Sequence, residues 1–254
     1  MIRLYISEPT PVFASGLRLG LNPDQSRYLA SVMRLHVNDG LAVFNGRDGE
    51  WLAHLADIGK KSVTLELQHP LRTQTADEGP VLVVALIKRG PLETIIEKAT
   101  ELGVRQIHLV ITHRSNANHT NVERLELIAK ESAEQTERLN VPTIFPPVKL
   151  ENWLLSNDCK LIFFGDENST HAEDLAQTRS LLDVLQRLDA TTSNAAASMA
   201  VLIGPEGGFD EIERQMLRAH PKIHPVNLGP RILRADTAAI SALTLVQAAI
   251  GDWR

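Results

Sequence analysis

A single cysteine in 254 residues leaves no partner for an internal disulfide and no set of thiolates for a structural zinc. Cys159 stands beside Leu161 and Ile162, a setting that reads as a buried structural thiol rather than a nucleophile. The chain lacks any run of about eighteen apolar residues, the length a membrane-crossing helix needs. Its opening, MIRLYISEPT, carries Arg3 and Glu8 where a secretory leader would be apolar, so the expected location is the cytosol. A general excess of positive charge is also missing, since the net charge is −5. Two loop signatures of nucleotide enzymes are absent as well. No G-x-x-x-x-G-K-[ST] loop occurs, and the first strand of the α/β part ends in Ile87-Lys88-Arg89-Gly90 rather than in G-x-G-x-x-G, which weighs against a dinucleotide-dependent oxidoreductase.

What is present is a globular composition long enough for one or two domains. Residues 1–72 read as β-rich: RLYIS, GLAVFNG, EWLAHLADI and SVTLELQ are short alternating or apolar runs divided by Asn, Asp and Gly turns. Their one helix-like stretch, Asp24 to Arg34, would set Tyr28, Leu29, Val32 and Met33 on one face. This region holds eight Lys or Arg against seven Asp or Glu, so the acid excess lies downstream. The polar segment RTQTADEGP, 72–80, is the natural boundary and gives two domains, 1–72 and 73–254.

After the boundary, strands alternate with helices. VLVVALI (81–87) leads into a helix from Pro91 to Leu102, then QIHLVIT (106–112) and a helix capped by Thr120 that runs to about Leu139. Further strands are expected at 143–145, 160–165, 199–203 and 224–228, SNAAAS (193–198) as a loop, and a closing helix over about 236–250. Alternation of this kind predicts a largely parallel sheet covered on both faces.

The most informative stretch is VLIGPEGGFDEIE, 201–213. An apolar strand ends in a small-sided loop, and Asp210 with Glu213 forms a prospective capping box that starts a helix at once. A loop so placed is either a tight structural turn or a ligand cradle; Leu228-Gly229, at the end of a later strand, offers a second backbone approach. With Ile232 and Leu233 between them, the two loops would suit an adenine ring held by aliphatic side chains and backbone groups.

Five segments in order, KRGPLETIIEKATELGV (88–104), HRS (113–115), AEQTERLNVP (133–142), IGPEGGF (203–209) and LGPRILRADTA (228–238), resemble the RsmE family of 16S ribosomal RNA methyltransferases in the SPOUT superfamily. The resemblance spans essentially the whole chain. It implies an α/β fold, with a SPOUT-type parallel sheet and a C-terminal trefoil knot, preceded by a small β-rich, PUA-like domain that binds RNA. It also implies S-adenosylmethionine as cofactor, methylation of N3 of a uridine in the decoding region, and a homodimer with cofactor sites near the subunit interface. The partner would be 16S ribosomal RNA or the small ribosomal subunit, with no metal required.

Carried over by position, the cofactor residues would be Leu202, Ile203, Gly204, Pro205, Glu206 and Gly207, then Leu228, Gly229, Ile232, Leu233 and Arg234. A branched side chain at Gly207 is accordingly expected to block cofactor binding. Arg234 is either the group that holds the uracil or its developing charge, because a guanidinium stays ionised and offers a fixed donor fork, or half of a surface or interface salt bridge. Asp236 stands where the family more often has Glu, so its carboxylate serves either proton transfer or helix capping. Glu134, four residues before Arg138, is either an active-site wall residue or half of a helix pair. His113 follows a strand end, as substrate-facing residues do, although a surface or core histidine fits equally. RNA phosphates would meet Arg3, Arg18, Arg27, Arg34, Lys88, Arg89 and Arg114. With aromatics at only 4%, recognition should rest on RNA shape and backbone more than on stacked bases. A non-catalytic assembly protein on the same fold, or an enzyme for another RNA, would carry the same motifs.

Overall fold

The computed structural model describes residues 1–7, 9–59, 62–166, 178–188 and 196–253. The chain divides into two compact units, Met1–Ala76 with Ala133–Asn140, and Asp77–Ser132 with Val141–Arg254. The first boundary falls beyond the expected 72, because Arg72 and Gln74 are tied back into the first unit: Arg72 pairs with Glu50 at 2.7 Å and Gln74 bonds Asn140 at 2.6 Å.

The first unit is a five-stranded sheet in the order β1-β3-β4-β5-β2, with β1 Arg3–Tyr5, β2 Arg18–Gly20, β3 Gly40–Phe44, β4 Glu50–Ile58 and β5 Val63–Arg72. Strict alternation buries Ala53 and Leu55 of β4 and Val63, Leu65 and Leu67 of β5 against Leu4, Leu41 and Val43. The expected helix is instead two pieces. α1, Pro23–Arg27, is capped by the Asn22 side chain, and a π turn follows over Tyr28–Val32, closed by Met33 N–H donating to the Tyr28 carbonyl at 2.9 Å. That wider turn rotates the apolar face: Leu29 is fully buried but Val32 is 64% exposed.

Arg3 does not reach out to a phosphate. It is 8% exposed, its guanidinium lies over the Phe44 ring at 4.5 Å, and it bonds Glu50 and the carbonyls of Ala133, Glu134 and Arg138. A buried cation consumed by these partners holds 133–140 in place and is unavailable to RNA. Burial of Glu50 opposes its ionisation, yet hydrogen bonds from Arg72 and Arg3 outweigh that penalty and hold its carboxyl below the ordinary range.

The second unit is built on a seven-stranded sheet ordered β10-β12-β9-β11-β6-β7-β8, whose pairings are parallel. Its strands are β6 Val81–Ala85, β7 Gln106–Ile111, β8 Thr143–Lys149, β9 Leu161–Gly165, β10 Arg179–Ser180, β11 Met199–Ile203 and β12 Ile223–Asn227. Every residue of β6 and β11 is buried, as strands covered on both faces require. Successive residues serve opposite cores. Val201 and Ile203 pack with α2, Arg89–Glu101, and with α7, Ala235–Ile250; Ala200 and Leu202 pack with α4, Leu150–Ser156, and with α6, Glu211–Ala219.

Helix α3, Val122–Gln135, begins one residue later than expected. Asn121, not Thr120, caps it by accepting the Arg124 N–H at 3.0 Å. It also stops short of Leu139, with Glu137 in the left-handed region at φ 60°. Two-turn helices α4 and α5, Leu181–Arg187, and the short strands β2 and β10 have no counterpart in the expected order. Of the SNAAAS segment, 193–195 lie outside the described residues, and Ala196–Ser198 form one 3-10 turn.

Candidate active site

In a parallel sheet all C-terminal strand ends meet one edge, and here β12, β9, β11 and β6 are neighbours. A cavity of about 500 Å³ opens there. Ile87 and Lys88 enter it from the end of β6, Gly165 and Asp166 from β9, Ile203 to Glu206 from β11, and Val226 to Gly229 from β12. The first turns of α2 and α7 complete the wall through Pro91, Ala235, Asp236 and Ala238.

The loop after β11 is held from below by packing. Phe209 is fully buried against Phe164, ring centroids 5.0 Å apart at 81°, and the ring leaves no room for a side chain at Gly204. Beyond it the capping box is complete: Asp210 accepts the Glu213 N–H at 2.8 Å and Glu213 accepts the Asp210 N–H at 3.1 Å. In the second loop Gly229 has φ 113°, a conformation other residues rarely adopt, which lets the backbone face the cavity bare.

Of the expected cofactor residues, Ile203, Gly204, Pro205, Glu206, Leu228, Gly229, Ile232, Leu233 and Arg234 line this one cavity. Leu202 does not, because strand alternation turns its side chain to the opposite core, where it is fully buried. Gly207 does not either. A Cβ there would meet Arg114 at 3.6 Å, an ordinary contact, whereas one at Gly204 would meet Phe209 at 2.6 Å.

Arg234 is exposed on the rim, at the N-cap of α7, and Asp236 lies within the first turn, where its Oδ1 accepts the Thr237 N–H at 2.7 Å. Asp236 therefore steadies the helix start without being its N-cap. Glu134 is not among the lining residues; its Oε1 accepts the Tyr5 N–H at 2.8 Å. Lys88, expected to meet phosphate, is exposed and also lines the cavity. Arg18 pairs with Glu66 at 2.9 Å, Arg27 with Asp24 at 3.4 Å, and Arg89 with Glu93 at 2.8 Å, all at the surface; Arg34 is exposed with φ 55°.

Asp166, Asn227 and Arg231 are cavity residues that the sequence did not single out. Asp166 is buried and receives Arg218 at 2.6 Å and Arg214 at 3.3 Å, which fastens α6 to the end of β9. Its only advance signal is a carboxylate directly after an apolar strand.

A second group lies behind the glycine loop. His113 Nδ1 contacts Asp210 Oδ2, the His113 N–H donates to Glu213 Oε1 at 2.8 Å, and Glu151 is 3.8 Å from the imidazole. The hydrogen bond to Asp210, with the nearby charge of Glu213, raises the His113 pKa above its ordinary value. Arg114 donates to the Gly207 carbonyl at 2.9 Å and Asn116 to Glu206 at 3.2 Å.

Comparison with known proteins gives a consistent answer. Residues 78–247 match a family described as an RNA methyltransferase domain, and residues 21–68 match an RNA methyltransferase PUA domain. The Ribosomal RNA small subunit methyltransferase E of Rickettsia conorii is 34% identical over 246 residues, covering 96% of this chain and 94% of its own. The protein of that name from Synechocystis is 32% identical over 238 residues, covering 90% and 72%. Among solved structures, a Legionella pneumophila methyltransferase with bound S-adenosylmethionine superposes with a TM-score of 0.80 at 28% identity, covering 98% of this chain and 97% of that one.

Proposed function

The chain belongs to the ribosomal RNA small subunit methyltransferase E family and is an RNA methyltransferase, and from that premise we propose that it methylates N3 of a uridine in the decoding region of 16S ribosomal RNA. The single observation that carries the reading is the convergence of the glycine loop after β11 and the Leu228–Arg234 loop on one cavity. Its volume of about 500 Å³ lies within the range for ligands the size of a nucleoside cofactor. Its chemistry fits S-adenosylmethionine. Aliphatic Ile203, Leu228, Ile232 and Leu233 suit an adenine face, backbone groups at Gly204 and Gly229 suit its polar edge, and the Glu206 and Asp236 carboxylates suit a cationic ligand.

S-adenosylmethionine, when bound, supplies a methyl group on a sulfonium whose departure leaves a neutral thioether. The residues of this chain have two further tasks. They must bring the uracil nitrogen in line with that methyl carbon, which supplies much of the acceleration. They must also remove the N3 proton, so that the nitrogen's electron pair forms the new N–C bond while the C–S pair returns to sulfur. Arg234, with the amide ends of α7 behind it, meets the negative charge that spreads onto the uracil oxygens. Asp236 holds Thr237 through Oδ1 and presents Oδ2 for the proton.

The PUA domain and the surface cations Arg18, Arg27, Arg34, Lys88 and Arg89 bind the RNA backbone, so substrate affinity should fall with salt. A cytosolic homodimer with cofactor sites near its interface, each chain carrying a C-terminal trefoil knot, belongs to the same reading. Mass spectrometry of ribosomal RNA nucleosides from cells with and without the protein tests it. Loss of 3-methyluridine from the decoding region on deletion, and its return on complementation, is the expected result; persistence of that nucleoside in the deletion strain refutes the target.

A further inference from the structure

The cavity accounts for one side of the glycine loop and leaves the other side unexplained. There, residues 113–116, which follow β7, reach across the end of β6 to the loop after β11. They touch it at four points in order: Asn116 at Glu206, Arg114 at the Gly207 carbonyl, the His113 ring at Asp210, and the His113 amide at Glu213. Glu206 lines the cavity, so whatever fixes this loop also fixes one wall of the cofactor site.

One of these contacts is made by an imidazole, the side chain whose charge changes near neutral pH. The His113 ring faces Asp210, Glu213 and Glu151, and each of the three carboxylates favours its charged form. These acids cluster within 4.8 Å of the ring in the case of Asp210 and Glu213, close enough to suggest a shared cation. Each of their four carboxylate oxygens, however, already accepts a hydrogen bond, from the Glu213 amide, the imidazole, the His113 amide and the Asp210 amide. With those oxygens engaged, the acidic surroundings of the ring favour its charged form.

We propose that His113 is a positioning residue whose protonated ring latches the glycine loop through Asp210, so that cofactor affinity depends on pH through a group outside the cofactor cavity. The consequence for cofactor binding rests on the function proposed above; the latch itself does not. The sign follows from the carboxylates. They hold the proton on the folded imidazole beyond the range of an ordinary histidine, so the charged latch is complete below pH about 6.5 and is lost as pH rises through the folded value. The ring is about half exposed, so the contribution is that of a screened pair and the change in affinity is about two- to fivefold.

The test compares the full-length protein with His113→Asn, whose amide can still donate to Asp210 but does not titrate, and with His113→Ala. Binding of S-adenosylhomocysteine by calorimetry is measured from pH 6 to 9, and the ratio of the two proteins' dissociation constants removes titration of the ligand itself. The wild type should weaken about two- to fivefold relative to His113→Asn across that range, while His113→Ala binds weakly throughout. A ratio that stays constant with pH overturns the proposal. A ligand-free measurement separates this outcome from failure of the cofactor reading: hydrogen exchange at the Gly207 and Gly208 amides should quicken as pH rises in the wild type, beyond the intrinsic chemical rate, and should not do so in His113→Asn. If no cofactor binds at any pH but this difference in exchange persists, the function is refuted and the latch stands; equal exchange in the two proteins refutes the latch.

Discussion

Gly204→Ala against Gly207→Ala separates the two glycines of one loop. A Cβ at Gly204 would lie 2.6, 3.0 and 3.2 Å from Cε2, Cδ2 and Cζ of Phe209. Ordinary carbon contacts begin near about 3.5 Å, so ring and backbone must part by about 1 Å. Neither yields easily. Phe209 is fully buried and sealed edge-on against Phe164, while Gly204 continues directly from β11, the strand paired on both sides. Overpacking of this kind costs about 1–3 kcal/mol, which for a unit of this size lowers the melting temperature by roughly 2–12 °C. Because Gly204 also lines the cavity, part of the displacement falls on the cofactor site, and binding of S-adenosylhomocysteine should weaken about tenfold, the equivalent of 1.4 kcal/mol. At Gly207 the added carbon would meet Arg114 at 3.6 and 3.8 Å, and it lies off the cavity wall, so melting temperature and affinity should stay close to wild type. Differential scanning calorimetry and isothermal titration of both variants decide the matter. Equal behaviour of the two, or a larger effect at Gly207, refutes the account of how this loop is packed.

Three other perturbations follow from the same geometry. Gly229→Ala adds no contact within 4 Å but forces an L-residue to φ 113°, so it should cost about 1–3 kcal/mol in backbone strain and weaken cofactor binding by calorimetry without a clash. Asp166→Ala removes the buried carboxylate that Arg214 and Arg218 share, while Arg214 keeps Glu211 and the Phe209 carbonyl, and should destabilise the second unit by about 1–3 kcal/mol in urea melts. In the first unit, hydrogen bonds from Arg72 and Arg3 to Glu50 overcome its burial and depress its pKa. Its contribution is therefore complete above pH about 4.5 and declines as pH falls through the folded value, a slope in thermal melts that Glu50→Gln should flatten.

The elements legible from sequence are those whose signal is local. The apolar runs of β6 and β11, the capping box at Asp210 and Glu213, and the closing helix all follow from neighbouring residues alone. Elements defined by distant partners are not legible. β2 is three residues long and exists because it pairs with the edge of β5. α4 spans only seven residues, too few to establish a period, and leaves Leu155 88% exposed. Arg3 misled for the same reason: an arginine near a chain start reads as a solvated charge, and its partners Glu50 and the carbonyls of 133–140 lie far along the chain. The expected cap of α3, Thr120, and the observed one, Asn121, differ by one residue, because both are good capping residues in succession.

The site obeys the same division, and strand order explains where it was incomplete. The two loops were visible because glycines and prolines mark them, but a loop states only that its own strand has ended. Which other strand ends share the cavity depends on the arrangement β12-β9-β11-β6, and in that arrangement Lys88 and Asp166 arrive from strands that carry no glycine-rich signature. Alternation then divides neighbours within a single strand. Ile203 faces the cavity and Leu202 the opposite core, although both are apolar, adjacent and within the same motif. A motif therefore selects a segment, while sheet order and strand parity select which side chains line the cavity.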